Sequence, residues 1–324
     1  MEMERVILKE ADKIELLSLM DNSIDFLSTN KRNEVKQVQE WLKERKSDEW
    51  IEKHFCPPLA EHGFSVLVRV FSGAESHTVL FDTGISPEGV TTNAERMGLN
   101  LTEIETIVLS HGHLDHCGGL LNVVKTVNKK LPVIVHEDMF KTRGTANPDG
   151  SVRKSSDFPT EEQVRPARFV KTKEPYAVAN NNVLVTGEIP RKTDFEKGLL
   201  KQRVLINGKW QPDSEVWDDR AVVMNVKQKD LVVLSGCAHA GIINTTRYAQ
   251  QITGVNRIYA ILGGFHLAGK DYETRINATI SELKRLKPKL IAPSHCTGWR
   301  GMFAIAEAMP EAFVWNSVGN MYQF

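Results

Sequence analysis

The run Ser110-His111-Gly112-His113-Leu114-Asp115-His116-Cys117-Gly118-Gly119 places four metal-ligand side chains within six positions. Neutral imidazole and carboxylate together suit zinc, iron or manganese. An apolar stretch at 104–109 leads into the run and reads as a strand. Alternate residues of extended backbone share a face, so His111 and His113 can turn toward one ion. Asp115 and His116, where the chain enters a helix, can aim at a second ion beside it. Gly112, Gly118 and Gly119 permit the tight backbone path this clustering needs. A lone histidine is most often a surface or core residue, but four ligand types at this spacing point to a metal centre.

Other elements must hold that run in place. Short Val/Ile/Leu-rich stretches that end in Gly, Ser or His recur at 132–135, 183–185, 221–226, 231–234, 258–262, 290–292 and 312–315. They are predicted strands. Helical spacing appears between several of them, at 119–130, 245–253, 272–286 and 302–309. The alternation predicts an α/β layered fold with helices covering sheet faces, built as one domain over 1–324. The charged segment 30–51, with Val35, Val38, Trp41 and Leu42 at helical spacing, is expected as a surface helix. From 141 to 219 the pattern loosens around Asn147-Pro148-Asp149-Gly150 and Ser155-Ser156. That stretch is expected as an inserted excursion, acting as a lid or as a contact in a homo-oligomer.

Composition narrows the function classes. Forty-one Lys and Arg balance forty-one Asp and Glu, so no global field attracts nucleic acid or an anionic membrane. A small-molecule substrate is expected. The first residues, Met-Glu-Met-Glu-Arg, are acidic where a secretory signal is basic, and no apolar run approaches the roughly 18 residues of a membrane span. A cytoplasmic protein is expected, without a disulfide framework among Cys56, Cys117, Cys237 and Cys296.

Residues 111–116 match in full the His-x-His-x-Asp-His signature of the metallo-β-lactamase superfamily, which the chain resembles. Ser235-Gly236-Cys237-Ala238-His239-Ala240-Gly241, Gly263-Gly264-Phe265-His266-Leu267, Pro293-Ser294-His295-Cys296, Glu61-His62-Gly63-Phe64-Ser65 and Gly187-Glu188-Ile189-Pro190-Arg191 further resemble one branch. That branch includes archaeal dihydropterin ribofuranosyl-aminobenzene phosphate synthase. The resemblance implies an αββα sandwich and one or two divalent ions, zinc first, with manganese or iron as alternatives. It implies that Asp82, in Phe81-Asp82-Thr83-Gly84, supports the histidine loop from behind. It also assigns His295 to the ion seen by Asp115 and His116. Where most of the superfamily has Gly-Asp, this chain has Gly236-Cys237. Either Cys237 replaces the bridging aspartate, or His239 completes the ion at His111 and His113 and Cys237 lines the substrate pocket or is simply packed; His239 is the reading preferred.

Asp115 is expected to orient the attacking water, and His266, after its glycine pair, to donate a proton to the leaving group. His62 is expected to line the pocket. Glu188 and Arg191 form an acid–base pair that could meet a polar or phosphorylated substrate or close a surface salt bridge. His54, His77 and His136 read as structural; the basic residues between 141 and 173 could form a basic rim, but acidic ones interleave with them and a solvated surface is the reading preferred. The expected activity is a metallohydrolase of a small ester, lactone or phosphoester. A transferase of the synthase type and a metal-retaining regulatory protein are the alternatives.

Overall fold

The computed structural model describes residues 5–324 and consists of two facing sheets between layers of helices. The first sheet has eight strands, in the order Arg168–Lys171, Pro132–Val135, Thr106–Val108, Glu75–Phe81, Ser65–Ser72, Lys13–Met20, Met321–Gln323 and Val35–Lys36. The second runs Tyr176–Val178, Val183–Val185, Ala221–Val226, Asp230–Ser235, Ile258–Gly264 and Leu290–Ser294, with Glu10–Ala11 paired to Ala221–Val226.

Alternation along the strands explains the layering. Leu16, Val66, Val68, Val79, Phe81 and Val108 point inward from the first sheet and meet Val222, Met224, Val232, Leu234 and Leu262 from the second. The opposite face of the first sheet, through Leu17, Leu67, Leu80, Ile107 and Val133, receives helices Val38–Arg45, Gly89–Arg96 and Leu120–Val127. Leu231, Val233, Ile261 and Ile291 cover the other outer face with helices Ile242–Thr253, Ile276–Leu286 and Gly298–Ala308. Sheets buried on both faces read as near-continuous apolar runs, which is why 221–226 and 231–234 were legible as strands. The arrangement is the expected αββα sandwich.

Three expectations need correction. The segment 30–51 is not one surface helix: Val35 pairs with Tyr322 in the first sheet, and the chain then forms Val38–Arg45 and Asp48–His54, divided at the Ser47 cap. Val38, Trp41 and Leu42 are buried, because they pack against that sheet. The stretch 312–315 makes an isolated bridge from Phe313 to Ile291 rather than a strand. The region 141–219 is not one excursion either, since Arg168–Lys171, Tyr176–Val178 and Val183–Val185 belong to the main sheets. Its remaining strands, Arg143–Ala146, Val152–Lys154, Gln202–Ile206 and Lys209–Pro212, form a separate four-stranded antiparallel sheet. Among the described residues no helix is long and apolar enough to cross a membrane.

Candidate metal centre

Loops at the ends of strands from both sheets converge on one site. Thr106–Val108 leads to the histidine run, Asp230–Ser235 to Cys237 and His239, Ile258–Gly264 to His266, and Leu290–Ser294 to His295. Asp82, Ala238, His266 and His295 all adopt positive φ, at 60°, 54°, 48° and 50°. Non-glycine residues in that region carry a cost of order 1 kcal/mol each and cluster where the surroundings hold them for function.

His111, His113 and His239 bring three ring nitrogens together. His111 Nε2 lies 2.9 Å from His113 Nδ1, and His239 Nε2 lies 3.1 Å from each of them. Ligands bound at about 2.05 Å in tetrahedral directions would stand roughly 3.3 Å apart, so this triangle fits a zinc-sized cation. Burial, reinforced by neighbouring imidazoles, holds His111 and His239 well below the ordinary histidine value, and burial brings His113 to about 4. Neutral imidazole is the form a cation needs.

A second set stands beside the first. Asp115 Oδ2 is 3.3 Å from His295 Nε2 and 3.7 Å from His116 Nε2, and Cys237 Sγ is 3.3 Å from His116 Nε2. Asp82 Oδ2 takes His116 Nδ1–H at 2.6 Å, which leaves His116 Nε2 facing Asp115 and Cys237. Burial alone would lower His116, but the Asp82 and Asp115 carboxylates raise it to about 9. The extra proton falls on Nε2, where a cation would sit, so the field there favours positive charge. Burial pushes the Cys237 thiol above its ordinary value in the absence of a cation. Cys237 also lies within reach of His239 and His266, which places it between the two sets.

Asp82 also hydrogen-bonds the loop at Ser110. Its Oδ1 accepts the Ser110 N–H at 2.7 Å and its Oδ2 the Ser110 hydroxyl at 2.7 Å, while that hydroxyl is 2.9 Å from His111 Nδ1. A side chain at Gly236 would collide with both the Ser110 hydroxyl and the Asp82 carboxylate, so the second sheet can approach this support only through glycine.

The sets open onto a cavity of about 730 Å3 lined by His62, His113, Asp115, Cys237, His239, His266 and His295, together with residues of the four-stranded sheet. His62 is mostly exposed, 3.6 Å from Asp115 Oδ2. His266 packs its ring between His239 and Tyr272, with the Cys296 thiol beside it. Glu188 and Arg191 do not line the cavity and do not pair with each other. Glu188 bonds the buried His136 at 3.1 Å, whereas Arg191 packs over Trp217 and donates to the carbonyls of Ile189 and Glu215. Outside a helix, a spacing of three places no two side chains face to face, and each found a structural partner.

Sequence reading missed Asp218-Asp219-Arg220. Asp218 Oδ2 accepts the N–H of Gly112, between two of the histidines, at 2.9 Å, and Asp219 accepts the N–H of Ala240, next to His239, at 2.8 Å. Arg220 donates to the carbonyls of Leu109 and Ile134. One tripeptide therefore fixes both histidine-bearing turns. Burial raises Asp219 to about 6, while Arg143 overcomes burial and keeps Asp218 at about 2. An Asp-Asp-Arg triplet directly before an apolar strand was the available signal, because charges there must find buried partners.

Residues 60–196 match the family model for the metallo-beta-lactamase superfamily. The chain is 33% identical over 276 residues to the 7,8-dihydropterin-6-methyl-4-(beta-D-ribofuranosyl)-aminobenzene-5'-phosphate synthase of Methanocaldococcus jannaschii, covering 83% of this chain and 92% of that protein. It is 30% identical to an uncharacterised protein of the same organism, covering 81% and 93%. The crystal structure of a metal-dependent hydrolase of the β-lactamase superfamily superposes with a TM-score of 0.67 at 24% identity, over 96% of this chain and 98% of that one, and shares its fold. With the His-x-His-x-Asp-His run, the two-sheet sandwich and these matches together, the chain belongs to the metallo-β-lactamase superfamily.

Proposed function

We propose that the protein is a metal-dependent hydrolase of a small ester, lactone or phosphoester, holding divalent cations, zinc first, at two sites. His111, His113 and His239 would hold one; Asp115, His116 and His295 would hold the other, with Cys237 in reach of both. The observation that carries this reading is the pair of ligand sets side by side under one cavity. A pair of divalent cations supplies Lewis acidity and brings the pKa of water at the site toward neutrality. Asp115 lines the cavity, and burial is outweighed by His116 and His295, which keep its carboxyl far below the usual carboxylate range. It therefore accepts a hydrogen bond from the attacking water and directs it. His266 lines the cavity beside Cys296, and a ring N–H there would donate to the leaving-group oxygen. His62 flanks Asp115 at the cavity mouth and contacts the substrate there.

A second reading has equal support: a transferase joining a dihydropterin to an aminobenzene ribose phosphate. The observation in its favour is the 33% identity to such a synthase along 92% of that protein. A cavity of about 730 Å3 is also large enough for a drug-sized ligand with room to spare.

Incubating the metal-loaded protein with a dihydropterin diphosphate, with and without the aminobenzene ribose phosphate, separates the two readings. A coupled product that forms only with both substrates supports the transferase; release of unlinked pterin alone supports the hydrolase. Asp115→Ala is expected to abolish either activity. Turnover that survived this change, at unchanged metal content, would contradict both readings.

A further inference from the structure

One stretch of the cavity wall is rich in cations. Strand Val152–Lys154 and the residues after it present Arg153, Lys154, Ser155 and Ser156 to the cavity in succession, and Lys201 joins them from the chain just before strand Gln202–Ile206. Two of the three cations are already balanced. Lys154 pairs with Asp157 at 2.8 Å, and Lys201 pairs at 2.6 Å with Asp271, a cavity residue on the loop that follows His266. Arg153 has no ion pair among the described residues. The three cations of the lining are matched in number by Asp115, Asp157 and Asp271, so the positive charge is not spread over the cavity but stands at Arg153, the cation without an ion pair.

Lys201 with Asp271 also ties the four-stranded sheet to the loop that carries His266 and Tyr272. Of the two readings of these residues, basic rim and solvated surface, the cavity lining favours the rim, since the end of the strand and the loop after it bring four consecutive exposed residues to the cavity.

We propose that Arg153, with Lys201 and the Ser155 and Ser156 hydroxyls, forms a subsite for a phosphate monoester group of the substrate, remote from the ligand sets. The inference rests on the reading of this cavity as the substrate site. A guanidinium fork, an ammonium and two hydroxyls offer more donors than a carboxylate accepts, and they suit the three terminal oxygens of a phosphoryl group, with Arg153 supplying the unpaired charge. The substrate would thus be anchored by its phosphate at the rim while the bond to be broken lies at the far side, over Asp115 and His266.

The test is titration calorimetry on the metal-loaded full chain with ribose 5-phosphate and with ribose, at two salt concentrations. The expected result is binding of ribose 5-phosphate but not of ribose, weakened by salt. Arg153→Gln should bind ribose 5-phosphate roughly tenfold more weakly, with Arg153→Lys intermediate, because a charge-assisted bidentate contact is lost or reduced to a point charge. Ser155→Ala with Ser156→Ala serves as a second, exposed and structurally mild variant and should lose severalfold. Equal affinity of the parent and Arg153→Gln would overturn the subsite, as would equal binding of ribose and its phosphate. Metal content measured alongside keeps the two claims apart. A chain that holds no divalent metal contradicts the enzymatic reading, whereas a metal-loaded chain indifferent to Arg153 contradicts the subsite alone.

Discussion

His116 depends on Asp82 for its orientation. The carboxylate fixes the Nδ1–H tautomer and so turns Nε2 toward Asp115 and Cys237. Asp82→Asn can present an amide N–H to Nδ1 and invert that tautomer. The expected outcome is a ten- to hundredfold loss of metal affinity at the Asp115, His116 and His295 set in a metal titration, with less change at the other set. Acid should also act on the metal-free protein through these histidines. Between pH 6.5 and 4 the unfolded chain binds protons at His111, His113 and His239 that the folded chain does not, so their contribution to stability rises with pH there. His113 alone, at about 4 when folded, accounts for about 3 kcal/mol across that window. Asp219, raised to about 6, works the other way between 3.8 and 6, since its folded form holds the extra proton. Asp21, Glu196 and Asp213 are raised by burial as well, and His136 is lowered, so the histidine part is isolated by substitution: in the chelator-treated protein, His113→Gln should lose less Tm than the parent between pH 6.5 and 4, by thermal unfolding at stepwise pH. At this scale the sequence was legible where ligands are neighbours in the chain, as from His111 to His116. It was opaque where a role depends on a distant partner: nothing near Glu188 announces His136, and nothing near Asp218 announces Gly112.

Arg143 begins the first strand of the four-stranded sheet and connects that sheet to the histidine run. Its guanidinium meets Asp218 Oδ1 at 2.7 Å and Asp213 Oδ2 at 2.7 Å, and the other oxygen of Asp218 holds Gly112 N–H. Replacing it by Met leaves two buried carboxylates without their cation, and breaking a buried pair from one side costs about 3 kcal/mol or more. Arg143→Met should therefore lower the unfolding free energy by that amount, read as a lower denaturation midpoint, and Arg143→Met with Asp218→Asn should recover part of it. A midpoint unchanged in the single variant would count against the link. Strands of the second sheet were readable because burial on both faces makes them continuously apolar. Strands Arg168–Lys171 and Tyr176–Val178 were missed because they lie at sheet edges, short and half exposed, the first with a charge at each end and the second only three residues long. That is why 141–219 looked like a single departure from the core.

Across the whole molecule, two sheets with separate outer helix layers bring their strand-end loops together at the ligand sets, where the imidazoles are desolvated. His111, His116, His239 and His295 are all buried. A divalent ion binding the folded state at a thousand times its Kd adds about 4 kcal/mol. Removing metal with a chelator should lower Tm by roughly 5–10 °C for a chain of this size, and adding it back should restore the loss. Family and architecture were legible at this scale because a local motif and a repeated strand pattern carry them. Substrate recognition was not, because the cationic rim is assembled from two separated segments of chain. The most direct test of the central claim is anomalous diffraction from crystals grown with divalent metal. Two peaks about 3.5–4 Å apart are predicted, one within His111, His113 and His239 and the other within Asp115, His116 and His295. Peaks absent from both sets, or confined to Cys237, His239 and His266, would contradict it.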